Sequence, residues 1–322
     1  LSALLALVLL GTLAMPAGAS DALGEDLTSK DTLLHYDTQL STNVFWSTAY
    51  SDQRTENLIT YYPNDSVTPI VTSGDVLTDR STVTTAAREL ESQGYRVVAG
   101  INGDFFNTGN GLPIGIVVSE GELRSSDAGY YAIGFRADGT AILGKPQVTV
   151  SANLGYTNAE GTEYVRRITG VNKARVSTGG IYLYTYDFND RHTTGNTEAG
   201  VDVVCTIVDG RLSIGESVTL VVDQVVEATS ATAIGADQVV LSANLQSDAY
   251  YVDALRNILV GTQITITATA ADSGWNDVEY AVGALYSLVQ NGSVVSGLAA
   301  GSAPRPAVGQ KADGSLVFYT ID

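Results

Sequence analysis

The alternation of hydrophobic and polar residues changes period along the chain. Val44–Tyr50 and Glu56–Tyr62 are rich in β-branched and aromatic residues and end at Pro63-Asn64-Asp65, which predicts two strands followed by a turn. From Ser81 to Gln93 helix-forming residues start at a hydroxyl side chain and stop before Gly94, which predicts one amphipathic helix. Arg96–Ile101 is a short apolar run and predicts a buried strand leading into Asn102. From Val148 to about Asp277 the pattern is strand-like, with Thr- and Val-rich runs such as Ser217–Asp223 and Gln263–Thr269; one helix-like stretch lies around Asp253–Ile258. Glu120-Gly121, Asp138-Gly139, Asp209-Gly210, Asn291-Gly292 and Asp313-Gly314 each sit between strand-type residues. They predict two-residue hairpins of type I′, a turn that needs positive φ at both central positions. Their irregular spacing argues against a solenoid or propeller. The expected fold class is α+β, mixed and β-rich, with residues 148–278 as a β-rich insertion between two parts of one domain.

The two ends of the chain differ from this body. Leu1–Leu10 is apolar but too short to span a bilayer, and it leads to Pro16-Ala17-Gly18-Ala19-Ser20, a small-residue pattern of signal-peptide cleavage. Residues 1–19 are read as a partial signal peptide, cut after Ala19, and no membrane span is expected after it. The protein is then secreted, extracellular or in the cell envelope, and of bacterial type. Residues 20–42, polar and acidic, are read as a flexible lead-in.

Charge narrows the partners. Lys+Arg 17 against Asp+Glu 35 gives a net charge of -18, which repels a phosphate backbone and argues against nucleic-acid binding. The single cysteine, Cys205, lies in the apolar run Val201–Ile207 and reads as a buried, inert thiol. His35 and His192 are isolated, so neither a zinc site nor a Ser-His-Asp triad is expected. The acidic stretch Tyr186–Asp190 lacks the ligand spacing of a calcium loop and reads as a solvated turn. No cofactor is expected, and a divalent cation is left open.

The densest chemistry lies in Asn102-Gly103-Asp104-Phe105-Phe106, followed by a loop with Gly109, Gly111, Pro113 and Gly115. Glycine lets the backbone approach a ligand or take positive φ, and Asn and Asp at a strand end can aim polar groups into a cleft. The same residues equally suit a tight turn in which they bond their own backbone. Asp104 could serve as a general acid or base, or hold a cation or a ligand hydroxyl. Phe105 and Phe106 are expected on opposite faces of a strand, one in the core and one walling a pocket. Arg305, between Pro304 and Pro306, could pair bidentately with an oxyanion or form an ordinary surface ion pair.

Three segments in order, Asn102–Phe106 with Leu112-Pro113-Ile114-Gly115, Ala132–Thr140, and Arg305–Gly314, resemble the motifs of the phosphodiester glycosidase family. Weaker matches are Gly170-Val-Asn-Lys-Ala-Arg175 and Gly180–Thr185. The resemblance implies residues 43–147 and 279–322 as two parts of the glycosidase-like domain. It implies catalytic roles for Asn102, Asp104, Arg305 and Asp322, with Gly103, Phe105, Phe106, Pro113 and Gly115 binding substrate. The implied substrate is a carbohydrate or glycosyl phosphodiester, such as a GlcNAc-1-phosphodiester. A non-catalytic glycan- or cell-wall-binding protein is the rival. In the uncovering enzyme of this family Gly stands at the position of Asp104, which favours Asn102 over Asp104 as the key residue. The family pattern continues past the position of Asp322 with a helix and an Asp-Gly-Gly-Gly-Ser element, so the chain is expected to be a piece truncated at both ends and inactive alone.

Overall fold

A computed structural model describes residues 23–298 and 304–322. The expected signal peptide therefore lies outside the described residues. Three strands open the described chain: β1 (Gly24–His35), β2 (Thr38–Ser47) and β3 (Asp52–Tyr61), followed by helix α1 (Val83–Ser92). Four short strands follow, β4 (Val117–Ser119), β5 (Glu122–Ser125), β6 (Tyr131–Phe135) and β7 (Ala141–Gly144). The excursion then contains β8 (Thr149–Thr157), β9 (Glu163–Val171), β10 (Ile181–Thr185), β11 (Gly200–Asp209), β12 (Ser217–Ala228) and β13 (Gln238–Asn244), then α2 (Ala249–Arg256) and β14 (Gln263–Thr269). Last come β15 (Tyr280–Ala284), β16 (Val289–Gln290), β17 (Ser293–Val294), β18 (Arg305–Gln310) and β19 (Leu316–Ile321).

The excursion closes on itself. Strands β10-β13-β11-β12-β14-β8-β9 form a barrel, antiparallel except where β9 and β10 meet in parallel. Closure removes free edges, and the period-2 burial of β8, β12 and β14 fills the interior with Val150, Leu220, Ile264 and Ile266. β11 is buried on both faces because the turn at Tyr186–Phe188 and neighbouring loops cover its outer side, where Val204 packs with Tyr184, Phe188 and Ile234. There are two five-stranded sheets besides, β1-β2-β3-β19-β18 and β5-β4-β15-β6-β7, and the second shares the barrel's core through Val118, Leu123 and Ala281. The two sheets pack through Tyr61, Leu316 and Phe318 against Ile133 and Phe135. Strand β15, which follows the barrel, is inserted between β4 and β6, which precede it.

Four expectations are corrected. The fold is mostly β and not α+β, because among the described residues only α1 and α2 are α-helical. The lead-in over 20–42 is structured from Gly24: β1 is exposed along most of its length, yet it forms a long antiparallel ladder with β2, so its order comes from backbone pairing and not from burial. Arg96–Ile101 is not a strand, and Val97 and Val98 are only half-buried; no ladder partner lies beside it among the described residues, and β-branched composition alone does not make a strand. Of the five hairpin dipeptides, only Glu120-Gly121 and Asn291-Gly292 have positive φ at both positions. At Asp138-Gly139 and Asp313-Gly314 only the glycine does. There the Asp carboxylate accepts hydrogen bonds from the N–H and hydroxyl of Thr140 (2.9 and 2.6 Å) and of Ser315 (3.0 and 2.7 Å), and these bonds hold both carboxyls below the usual Asp value. Asp209-Gly210 opens a longer connection between β11 and β12.

Candidate functional site

The segment from α1 to β4 carries the expected chemistry without regular structure to hold it. α1 starts at Thr82, whose hydroxyl accepts from the Thr85 N–H at 3.2 Å, yet none of its residues is buried. The chain then runs past Asn102, which is exposed, to Gly103, where a Cβ would stand 2.8 Å from Val282 of β15. Close passage over that strand explains this glycine.

Asp104 staples the next loop. Its Oδ1 accepts from the Phe105 N–H at 2.7 Å and its Oδ2 from the Gly115 N–H at 2.6 Å. Between these two points the backbone turns back through Asn107 N–H to Leu112 O (2.9 Å), Gly111 N–H to Asn107 O (2.7 Å) and Ile114 N–H to Phe105 O (3.0 Å). Gly111 has φ of 81° and lies against Thr78, so both conformation and space require glycine. Oδ2 occupies a notch between Gly115 and Gly283, whose backbones approach so closely that a Cβ on Gly283 would stand 2.8 Å from Gly115 Cα and overlap the carboxylate. Burial holds Asp104 above the usual Asp value, against the two N–H donors and Lys173, which pull it down.

Lys173, just past β9, donates from Nζ to the carbonyls of Pro113, Ile114 and Gly115, each at 2.9 Å. Burial pushes its pKa down to about 8, with Asp104 and Asp127 opposing. Arg80 lies 5.9 Å over the Phe106 ring. On β5, burial first and then Asp187 raise the Glu122 carboxyl, while Arg124 and Arg211 oppose; Arg124 pairs with Asp187 at 3.1 Å.

The sequence-expected residues fall into two groups. Asn102, Gly103, Asp104, Phe105, Phe106, Pro113 and Gly115 share one loop. Phe105 and Phe106 do not divide between core and pocket: they are 47% and 46% exposed, because the backbone turns at Asp104 and Phe106 makes only a single bridge to Pro113. Arg305 and Asp322 belong to the other sheet. Arg305 is exposed on edge strand β18 and donates to Pro304 O at 3.3 Å; its register partner is Ile321. Asp322 continues the β19–β3 pairing, its Oδ1 accepting the Thr55 N–H at 2.6 Å. Among the described residues no hydrogen bond joins either of them to the Asn102–Gly115 loop. An open pocket elsewhere, lined by Arg136, Asp138, Arg211, Glu216, Asp277 and Glu279, contains none of the expected residues. No group of three or more His, Cys, Asp or Glu suited to a metal occurs among the described residues, and no helix there is long and apolar enough to cross a membrane.

Pattern reading missed Lys173 and Arg80 as neighbours of this region. Lys173 lay inside the weak Gly170–Arg175 match, which was its one available signal.

The fold is a known one: a crystallised hypothetical protein from Synechocystis shares it with a TM-score of 0.67 at 18% identity, over 92% of this chain and 52% of that one. The chain thus spans about half the length of that protein. No curated protein matches the chain. The sequence profile of the phosphodiester glycosidase family matches residues 95–232 and 216–322, and the chain belongs to that family. Its name makes it a family of glycosidase-type hydrolases.

Proposed function

We propose that the chain is part of a secreted hydrolase that cleaves a glycosyl phosphodiester, of the GlcNAc-1-phosphodiester type, with water as acceptor. The observation that carries this reading is the family match across residues 95–322, which includes the loop stapled by Asp104. In such a reaction water adds to the anomeric carbon, the C1–O bond breaks, and a phosphomonoester leaves. That leaving group needs little protonation, so catalysis falls on holding the phosphoryl oxygens and activating water. Asn102, with an exposed carboxamide, and Arg305, with an exposed guanidinium, suit the first task. The exposed Phe105 and Phe106 rings suit the apolar face of a sugar.

The second reading, a glycan-binding protein without turnover, is favoured by one observation: both Asp104 oxygens are engaged by backbone N–H groups, the pattern of a structural staple. Incubating the full-length protein with a GlcNAc-phosphodiester separates the two. Sugar release abolished by Arg305→Ala and Asn102→Ala supports hydrolysis, whereas saturable binding with no release in the wild type supports the glycan binder. For export, we read Pro16–Ser20 as a cleavage region; secreted material beginning at Ser20 is the expected outcome of N-terminal sequencing.

A further inference from the structure

Lys173 belongs to the barrel by sequence, yet its side chain ends on the loop that carries Asp104. Its Nζ lies 2.9 Å from each of three successive carbonyl oxygens, those of Pro113, Ile114 and Gly115. An ammonium has three N–H donors, so this one stretch of backbone fills its hydrogen-bonding capacity. Successive carbonyls of a strand point to opposite sides. Three that converge set their dipoles against one another, and a cation at the focus is what makes the conformation favourable. The same geometry argues against a nucleophilic amine, since the nitrogen is engaged on all sides by the loop carbonyls.

The root of the side chain is fixed from both directions. Asn172, before it, sits at φ 51°. Its carboxamide donates to Arg124 O and Thr185 Oγ1, each at 2.8 Å, and accepts from the Thr185 N–H at 2.9 Å. Two residues after Lys173, Arg175 turns back into the barrel wall, donating to Ser242 Oγ at 2.8 Å and lying 3.8 Å from the buried Asp202. Gly115 then couples the lysine to the carboxylate, with its C=O on Lys173 and its N–H on Asp104 Oδ2.

We propose that Lys173 is a positioning residue, through which the barrel sets the Gly115 peptide and so orients Asp104 and the exposed Phe105 and Phe106 for ligand. This rests on the reading of the Asn102–Gly115 loop as the substrate site. The charged groups facing the ammonium are Asp104 and Asp127.

The test compares the wild type, K173M, and K173C before and after alkylation with 2-bromoethylamine, which rebuilds an ammonium at the same reach. Cys205 is fully buried and its thiol is pushed up to about 12, so the reagent selects the new thiol. Two readouts need no turnover: the carboxyl-carbon titration of Asp104, assigned by its absence in D104N, and amide exchange at Gly115. Loss of the ammonium is expected to raise the Asp104 pKa further and to speed Gly115 exchange about ten-fold or more. Barrel amides such as that of Val203 keep their protection, and alkylation of K173C restores both readouts. A folded K173M with unchanged Asp104 titration and unchanged Gly115 exchange overturns the proposal. If K173M fails to fold, K173C decides: recovery of both readouts on alkylation supports the role, and no recovery overturns it. Absence of sugar release by the wild type removes the phosphodiester reading and leaves both readouts intact.

Discussion

The barrel and the stretch from α1 to Gly115 solve the same problem in opposite ways. In the barrel every strand has two neighbours, interior residues such as Val203, Leu220, Leu241 and Ile264 are fully buried, and order is distributed over a continuous ladder. Between Val83 and Gly115 there is a helix with no buried residue, a half-buried Val97-Val98 that pairs with nothing among the described residues, and a loop held by a few backbone hydrogen bonds of its own, one carboxylate, one ammonium and a glycine notch. Distributed order tolerates loss at its margins, whereas order resting on a few points fails when one point is removed. The loop proposed to hold substrate is thus mounted on the less redundant of the two.

The largest effect is expected inside the barrel. Leu220→Ala removes a fully buried side chain and lowers stability by about 2 to 5 kcal/mol, read from urea denaturation, while the Asp104 titration stays in place. Gly283→Ala comes next. A Cβ there overlaps Asp104 Oδ2 and approaches Gly115 Cα, which costs about 1 to 3 kcal/mol and displaces the carboxylate; a crystal structure of the variant with Asp104 unmoved would contradict this account.

The pH dependence of Lys173 sharpens the contrast. Its folded pKa is lowered to about 8 from an ordinary 10.5, so between those values the unfolded chain binds more protons. Wild-type stability relative to K173M should therefore rise with pH across that window, because the penalty for burying the charge is relieved. Local order runs the other way, since the clamp loses its ammonium as pH passes about 8. Urea denaturation and Gly115 exchange, each compared with K173M at matched pH, should move in opposite directions. The smallest effect is expected at Val98→Ala, within about 1 kcal/mol of the wild type because the side chain is only half-buried. A larger loss would mean that this run packs in solution as the buried strand its sequence predicts.

What could be read from sequence follows the same division. β8, β12 and β14 bury alternate residues, so their period announces them. The start and stop of α1 were legible from Thr82 and Gly94 because capping is local chemistry. β1 was not legible, since its exposed side chains carry no burial signal and its order lies in hydrogen bonds to β2. Arg96–Ile101 misled for the converse reason: it has strand composition and no ladder. At the site, Asn102–Gly115 was found as a motif, but the partners of Asp104 are backbone N–H groups and those of Lys173 are backbone carbonyls. Contacts to backbone across a long sequence separation leave no side-chain signature at the far end.

The insertion of β15 between β4 and β6 also sets an order of assembly. As the chain emerges from the ribosome, β4 and β6 exist long before Tyr280–Ala284 is made, and the whole barrel is synthesised in between. The small sheet therefore waits with an empty central slot, two unpaired edges open to any extended segment nearby. The nascent chain is most exposed to mispairing between completion of β6 and arrival of β15, and the notch that receives Asp104 does not exist until Gly283 enters that slot.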